Sequence, residues 1–365
     1  MIRTTRHAMA TVVGLLALAG CAGTTGLGGG DWSVEASLAE LPTPGETSYS
    51  VTTGDLDAAA EVSGMERPEA GERDALGEWL QPLTGPSPSL PAAPVLMVLP
   101  EVWQPSAELV QASEDELGWS ILDASTYAEL SAARLRFLVI EGDVDEQTPD
   151  DADLVDLGDG VFSAGQGADH ALAPDDATSL RPTGAPLRMA VHGTRLALSG
   201  STPAVESWLR RGDSTLGDDA ALTDIAAALD SKDVVSAFLE RSGFASDPAF
   251  LSRPAVAAVL GEPPISHAFD TVGMGWAVDD EGKAEVIVAY AFGDEGTAEA
   301  SSPEVEQAFT AAVSTETMRP MSDRVRVEDI TVDGRLVVAT LTMVEGSPGM
   351  VHHLLLNRDR PFTHQ

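Results

Sequence analysis

The stretch that decides the fold is "RVRVEDITVDGRLVVATLTM", Arg324 to Met343. β-branched residues crowd both of its arms, and Asp333-Gly334 stands between them. An Asp-Gly pair supplies the positive backbone angles that a two-residue hairpin turn requires. Two strands joined by so short a turn run antiparallel. Working outward, "TVGMGWAV" (271–278) and "AEVIVAYAF" (284–292) flank the turn Asp279-Asp280-Glu281-Gly282. Further back, Leu187, Met189 and Val191 alternate with polar or small residues, His192-Gly193-Thr194 turns, and "RLALS" returns. Helices are predicted after each hairpin: "PAVESWLRR" stopped by Gly212, a helix opened by Ser302-Pro303 with Val305, Ala308, Phe309, Ala312 and Val313 on one stripe, and a last helix after Ser347-Pro348. This hairpin–helix architecture, around 186–211, 268–313 and 325–358, predicts an α+β fold: antiparallel sheets with helices covering one face.

The remaining elements are shorter. Asp55 caps a helix ending at Gly64, and "ERDALGEWLQP" is a helix closed by Pro82. Residues 82–106 read as a Pro- and Ser-rich loop around the apolar run Val95–Leu99. Asp123 is expected to cap a helix from Ala124. "LRFLVIE" is a strand, and Thr148-Pro149 opens a helix that runs to Gly158. "DDAALTDIAAALD" places Leu222, Ile225, Ala226 and Leu229 on one helix face, and "VVSAFLE" is a strand. Acid- and Pro-containing "SGFASDP", near 242–248, divides two lobes, 47–245 and 246–365.

The chain has 365 residues, 43% of them hydrophobic, and a formal net charge of −37. It can bury a core. The carboxylate excess opposes binding to nucleic acid or to an anionic bilayer surface, because counterion release would have to overcome repulsion. It is compatible with metal cations, basic partners or simple solubility.

One cysteine occurs, Cys21. It cannot form an internal disulfide. Arg3 and Arg6 precede an uncharged, mostly apolar run from Ala8 to Leu18, too short to span a bilayer, which takes ~20 residues. The run ends in Leu18-Ala19-Gly20-Cys21, which closely resembles the lipobox of bacterial lipoproteins. The resemblance implies that residues 1–20 are a signal peptide, recognised at Leu18, Ala19 and Gly20 and cleaved before Cys21. It also implies that the Cys21 sulfur carries a diacylglyceryl group, and that palmitate-type chains hold the protein on the outer face of the cell membrane. Each buried methylene contributes about 0.8 kcal/mol, and one chain anchors only marginally, so two or three make the attachment lasting. Residues 21–46 then form the lipidated cysteine and a flexible tether, with Gly-rich "AGTTGLGGG" spanning ~15–18 Å. Several phrases of the body, "VTTGDLDAAAEVSGMERP", "LGWSILDASTYAEL", "STLGDDAALTDIAAALD" and "RDRPF", look like those of uncharacterised actinobacterial cell-envelope lipoproteins. That resemblance implies location and kind, with no activity and no binding residues.

No chemical motif passes its spacing test, so no catalytic, cofactor or metal residue is assigned. In "DVDEQTPDDADLVDLGD" (143–159), Asp156 stands where a calcium loop starting at Asp151 needs glycine. His352 and His353 are adjacent, about 100° apart on a helix, and are expected to face solvent opposite Leu354 and Leu355. Gly160 lies three residues before Ser163, one too many for a nucleophile elbow. Trp79, Trp103, Trp119, Trp208 and Trp276 sit in apolar stretches and read as core. The expectation is a non-enzymatic, lipid-anchored binding or scaffolding module with an envelope protein as partner and no cofactor. The alternatives are a carrier of lipid or another amphiphile, which needs an apolar interior of several hundred Å3, and a hydrolase with dispersed acidic residues.

Overall fold

The structure is a computed structural model that describes residues 32–68, 72, 75–85, 91–100, 103, 107–152, 154–211, 214–245 and 265–365. Cys21, its flanking Leu18, Ala19 and Gly20, and residues 22–31 of the expected tether lie outside them; residues 32–46 lie inside, and where a flexible tether was expected they carry a helix, Val34–Glu40, with Val34, Leu38 and Leu41 buried.

The predicted hairpins are present: β6 (Leu187–His192) with β7 (Arg195–Ser199), β9 (Thr271–Val278) with β10 (Ala284–Ala291), and β11 (Val325–Asp333) with β12 (Leu336–Met343). They join β1 (Tyr49–Asp55), β2 (Ala124–Ala132), β3 (Arg136–Gly142), β4 (Val155–Gly158), β5 (Val161–Ala164) and β8 (Ser236–Arg241). The result is one twelve-stranded sheet in the order β11-β12-β10-β9-β8-β1-β2-β3-β7-β6-β5-β4, with every neighbouring pair antiparallel. The sheet runs without a break from strands of the first expected lobe into those of the second, where β8 pairs with β9.

This sheet is built twice over. The order β1-β2-β3-β7-β6 in one half is matched by β8-β9-β10-β12-β11 in the other, with β4 and β5 extending the first half's outer edge. Register repeats as well. Cross-strand partners form a row of ten residues: Met189, Leu198, Leu138, Glu129, Thr52, then Phe238, Met274, Val288, Ala339, Ile330. Directly opposed residues project from the same face. The row is five and five about the Thr52–Phe238 pair, so an approximate two-fold axis normal to the sheet passes there.

Helices cover both faces, not one. Strands buried on both sides lack clean polar alternation, and β9 and β12 are buried along nearly their whole length. On the face of the ten-residue row lie α2 (Leu56–Val62), α3 (Leu76–Thr84), α4 (Ala107–Leu117), α8 (Glu295–Thr310) and α9 (Gly349–Leu356), which contribute Leu56, Trp79, Leu117, Phe309 and Leu354 to one core cluster. On the opposite face lie α1 (Val34–Glu40), α6 (Thr202–Arg210) and α7 (Ala220–Asp230), which contribute Leu38, Val205 and Ile225 to another. Asp230 accepts from the backbone N–H of Val34 (2.7 Å) and Glu35 (3.1 Å), so the end of α7 caps the start of α1. The short helix α5 (Thr148–Asp151) completes the set among the described residues.

Four local expectations are corrected. Residues 124–132 are strand β2, not a helix. Asp123 instead accepts from the backbone N–H of Ser120 (2.7 Å), which turns the chain into the strand. The helix at Thr148 stops at Asp151, and Val155–Gly158 is a strand. Pro82 does not close α3; it lies inside it, and the helix runs to Thr84. Pro303 does not open α8 either. That helix starts at Glu295, where the Asp294 carboxylate accepts from the backbone N–H of Thr297 (2.9 Å).

Candidate functional site

Two residues interrupt the ten-residue row. Eight of its members are apolar and belong to or pack against one core cluster. Glu129 and Thr52, side by side at the centre, are polar, and they are 5% and 8% exposed. A carboxyl and a hydroxyl inside an apolar row cost stability unless something uses them.

They form the floor of a cavity of about 860 Å3. One wall is the segment Leu96–Pro100. This segment has no helix or strand, yet it is tied down at several points. Met97 N–H donates to the Leu83 carbonyl (2.7 Å) and Ala93 N–H to that of Pro82 (3.0 Å), which uses the carbonyls left over at the end of α3. Tyr127 Oη donates to the Val98 carbonyl (3.0 Å), and Ser236 Oγ donates to that of Leu96. Trp103 backs the wall, edge-on to Tyr127 at 5.4 Å and to Trp119 at 6.0 Å. Tyr127 is fully buried, and burial raises its phenol well above the usual range.

The opposite wall is α9 with the turn before it, through Gly346, Ser347, Met350, His352 and Leu356. Trp276 Nε1 donates to the Pro348 carbonyl (3.3 Å) and holds the helix start against the sheet. His352 is not the solvent-facing residue expected from sequence. Its ring packs edge-on against Phe238 (4.6 Å) and Trp276 (6.0 Å). Burial, assisted by His353, pushes its imidazole down to about 4, so it is neutral at neutral pH. His353, the next residue, is exposed, with Nε2 2.8 Å from Glu316 Oε1.

Thr52, Glu129 and His352 lie near one another on the floor, and the cross-strand pair Ser50 and Ser131 continues it. Thr52 lies between Glu129 and Phe238 across the sheet, and His352 sits on Phe238. The Arg136 guanidinium stands 3.6 Å from Glu129. Among the described residues, Thr52 Oγ1, His352 Nε2 and Arg324 Nε are buried without a hydrogen-bond partner. The apolar part of the lining is Leu96–Pro100, Trp103, Met350 and Leu356, and Ser50, Thr84, Ser131 and Ser347 add hydroxyls around it. This pattern, apolar walls with a few convergent polar groups, is that of a small-molecule site.

Other sequence candidates are not brought together into chemistry. Ser163 Oγ donates to the Gly165 carbonyl (2.7 Å) and accepts from Arg188, a buried structural contact. The acidic stretch after Asp143 folds on itself: Asp145 accepts from the N–H of Gln147 (2.7 Å). Among the described residues no group of three His, Cys, Asp or Glu could hold a metal ion, and no helix is long and apolar enough to cross a membrane. Four of the five tryptophans read as core are buried; Trp208 is half-buried and donates from Nε1 to Glu40 (2.9 Å).

Glu129 was missed in the sequence because residues 124–130 read as helix, and His352 because it was expected to face solvent. The usable signal was "STY" at 125–127, a β-favouring run.

No family model, no curated protein and no solved structure matches the chain.

Proposed function

We propose that this chain is a lipid-anchored binding protein of the cell envelope whose body holds one small amphiphile. Acyl chains on Cys21 attach it to the outer face of the membrane, after cleavage behind Gly20. The globular body carries the activity, which is binding and not catalysis. The observation that carries the binding reading is the cavity over the centre of the sheet. Its volume of about 860 Å3 is within the range of ligand pockets, roughly 300–1,000 Å3. Its floor breaks an otherwise apolar row with two polar side chains. The anchor rests on the lipobox-like Leu18-Ala19-Gly20-Cys21 and the basic and apolar segments before it.

The test is isolation of the full chain from its native host, exhaustive exchange into fresh detergent, and mass spectrometry of the solvent extract. One amphiphile retained per chain supports the proposal. A chain that retains none, and that takes up none when offered the host's total lipid extract, overturns it. Anchoring is tested separately. Metabolic palmitate label should appear on the parent and disappear in Cys21→Ser.

A further inference from the structure

Given that the cavity binds an amphiphile, the polar groups on its floor restrict the ligand's head. We infer that the ligand is an uncharged amphiphile with a hydroxyl head, seated between Thr52, Glu129 and His352. The argument starts from charge. A carboxylate or phosphate head placed over Thr52 would stand next to the Glu129 carboxyl, buried with it in a low-dielectric floor, where like charges repel strongly. A cationic head meets the opposite obstacle. Glu129 already has the Arg136 guanidinium 3.6 Å away, so a cationic head over Thr52 would stand beside a positive charge already in place. A neutral head avoids both costs.

Hydrogen bonding then selects the hydroxyl. Thr52 Oγ1 and His352 Nε2 are each buried without a partner among the described residues. A carboxyl oxygen accepts, a threonine hydroxyl both donates and accepts, and a neutral imidazole nitrogen does one or the other according to tautomer. A ligand hydroxyl, which also donates and accepts, satisfies an acceptor and a donor at once. A bare hydrocarbon end would leave both buried groups unsatisfied, a penalty of the kind that gives polar sites their discrimination. The apolar tail lies along Leu96–Pro100, Met350 and Leu356.

The experiment uses the full chain in nanodiscs and four photoreactive C16 probes carrying a mid-chain diazirine: the alcohol, the carboxylic acid, the primary amine and the plain alkane. Crosslinks are mapped by peptide mass spectrometry. The alcohol should label segments 96–100 and 349–356 at least tenfold more efficiently than the other three, and Thr52→Val and His352→Phe should each reduce that labelling severalfold. Thr52→Val is close to isosteric, so circular dichroism of that variant separates loss of the head site from loss of the fold. Equal labelling of these segments by all four probes, or preference for acid or amine, overturns the hydroxyl-head inference and leaves the cavity reading standing. Failure of every probe to label the two segments overturns both.

Discussion

The two halves of the sheet share strand order and register, yet they treat the same position differently. Where the second half puts Met274 and Phe238 in the row across the sheet, the first half puts Glu129 and Thr52. The second half's pair is closed over as core. The first half's pair is left under a cavity. A repeated scaffold thus supplies its own control: the same backbone frame supports packing on one side of the axis and a polar floor on the other. Both faces carry an apolar core cluster, and the cavity opens on the one covered by α2, α3, α4, α8 and α9.

Exchanging the pair breaks the comparison most severely. Met274→Glu puts a carboxyl into closed core with no guanidinium in the position that Arg136 holds beside Glu129, so it should cost at least about 3 kcal/mol. The mirror change, Glu129→Met, removes a buried charge and adds apolar volume. Arg136, left without this partner, is about half exposed and is solvated, so the change should cost well under the ~3 kcal/mol of Met274→Glu while abolishing ligand retention. Urea unfolding midpoints of the two variants check both. If Glu129→Met is as damaging as Met274→Glu, Glu129 is a structural ion and the functional reading of the floor fails.

The histidine over the axis gives a pH test of similar size. His352 has a folded pKa of about 4 against an ordinary value of 6.5. Above pH 6.5 the ring is neutral in both states and contributes no pH dependence. As pH falls below 6.5 the unfolded chain takes up a proton that the folded chain refuses, so stability is lost until about pH 4 and then levels off. The 2.5-unit difference corresponds to about 3 kcal/mol. Asp55, Asp123 and Asp230, raised chiefly by burial, act in the opposite direction at the acid end. Comparing parent with His352→Phe cancels them, and the variant's stability should fall less between pH 6.5 and 4. Parallel curves for the two proteins would show that the ring is solvated.

Hairpins were the legible part of this molecule. Asp333-Gly334, Gly193-Thr194 and Asp279–Gly282 announce themselves because turn chemistry is local. The twelve-strand assembly was not legible, since nothing local says that β1 pairs with β8, nearly two hundred residues later. The helix edges went astray where proline was read as a boundary: Pro82 and Pro303 both sit inside helices. The site was illegible for a related reason. Glu129 and Thr52 are ordinary strand residues until register sets them beside Phe238, and His352 differs from His353 only in which side of α9 meets the sheet. Within the stretch expected as tether, Val34–Glu40 is a helix, missed because Pro42 and Pro44 were read as continuing a flexible segment.

Glycine marks a milder difference between the halves. In β9, Gly273 and Gly275 leave room for the helix layer. A Cβ at Gly273 would lie 2.2 Å from Ile225 Cγ2, and one at Gly275 would lie 2.6 Å from Val234 Cγ1. The matching positions of the first half are Ala128 and Leu130, both fully buried. Ile225 of α7 and Val234 just after it therefore occupy the space that a side chain at these strand positions would take. Gly273→Ala should cost about 1–3 kcal/mol through overpacking, whereas Ala128→Gly, which only loosens the strand, should cost about 1 kcal/mol or less. Thermal unfolding resolves the pair.

The smallest effect comes from the residue beside the most sensitive one. His353 projects from α9 with its side chain 58% exposed and touches Glu316 through one 2.8 Å contact. An exposed pair of this kind contributes at most about 1 kcal/mol, because solvent screens it and ordering two side chains costs entropy. His353→Ala should therefore move the unfolding midpoint little at neutral pH, and because His353, second to burial, helps hold the His352 imidazole down, its removal should make the acid limb slightly shallower, much less so than His352→Phe does. It also gives the cavity its internal control. His353 borders the same opening as His352, so labelling by the hexadecanol probe that survives His353→Ala but not His352→Phe assigns the head group to the buried ring. Equal loss in both variants would place the ligand at the rim and not on the floor.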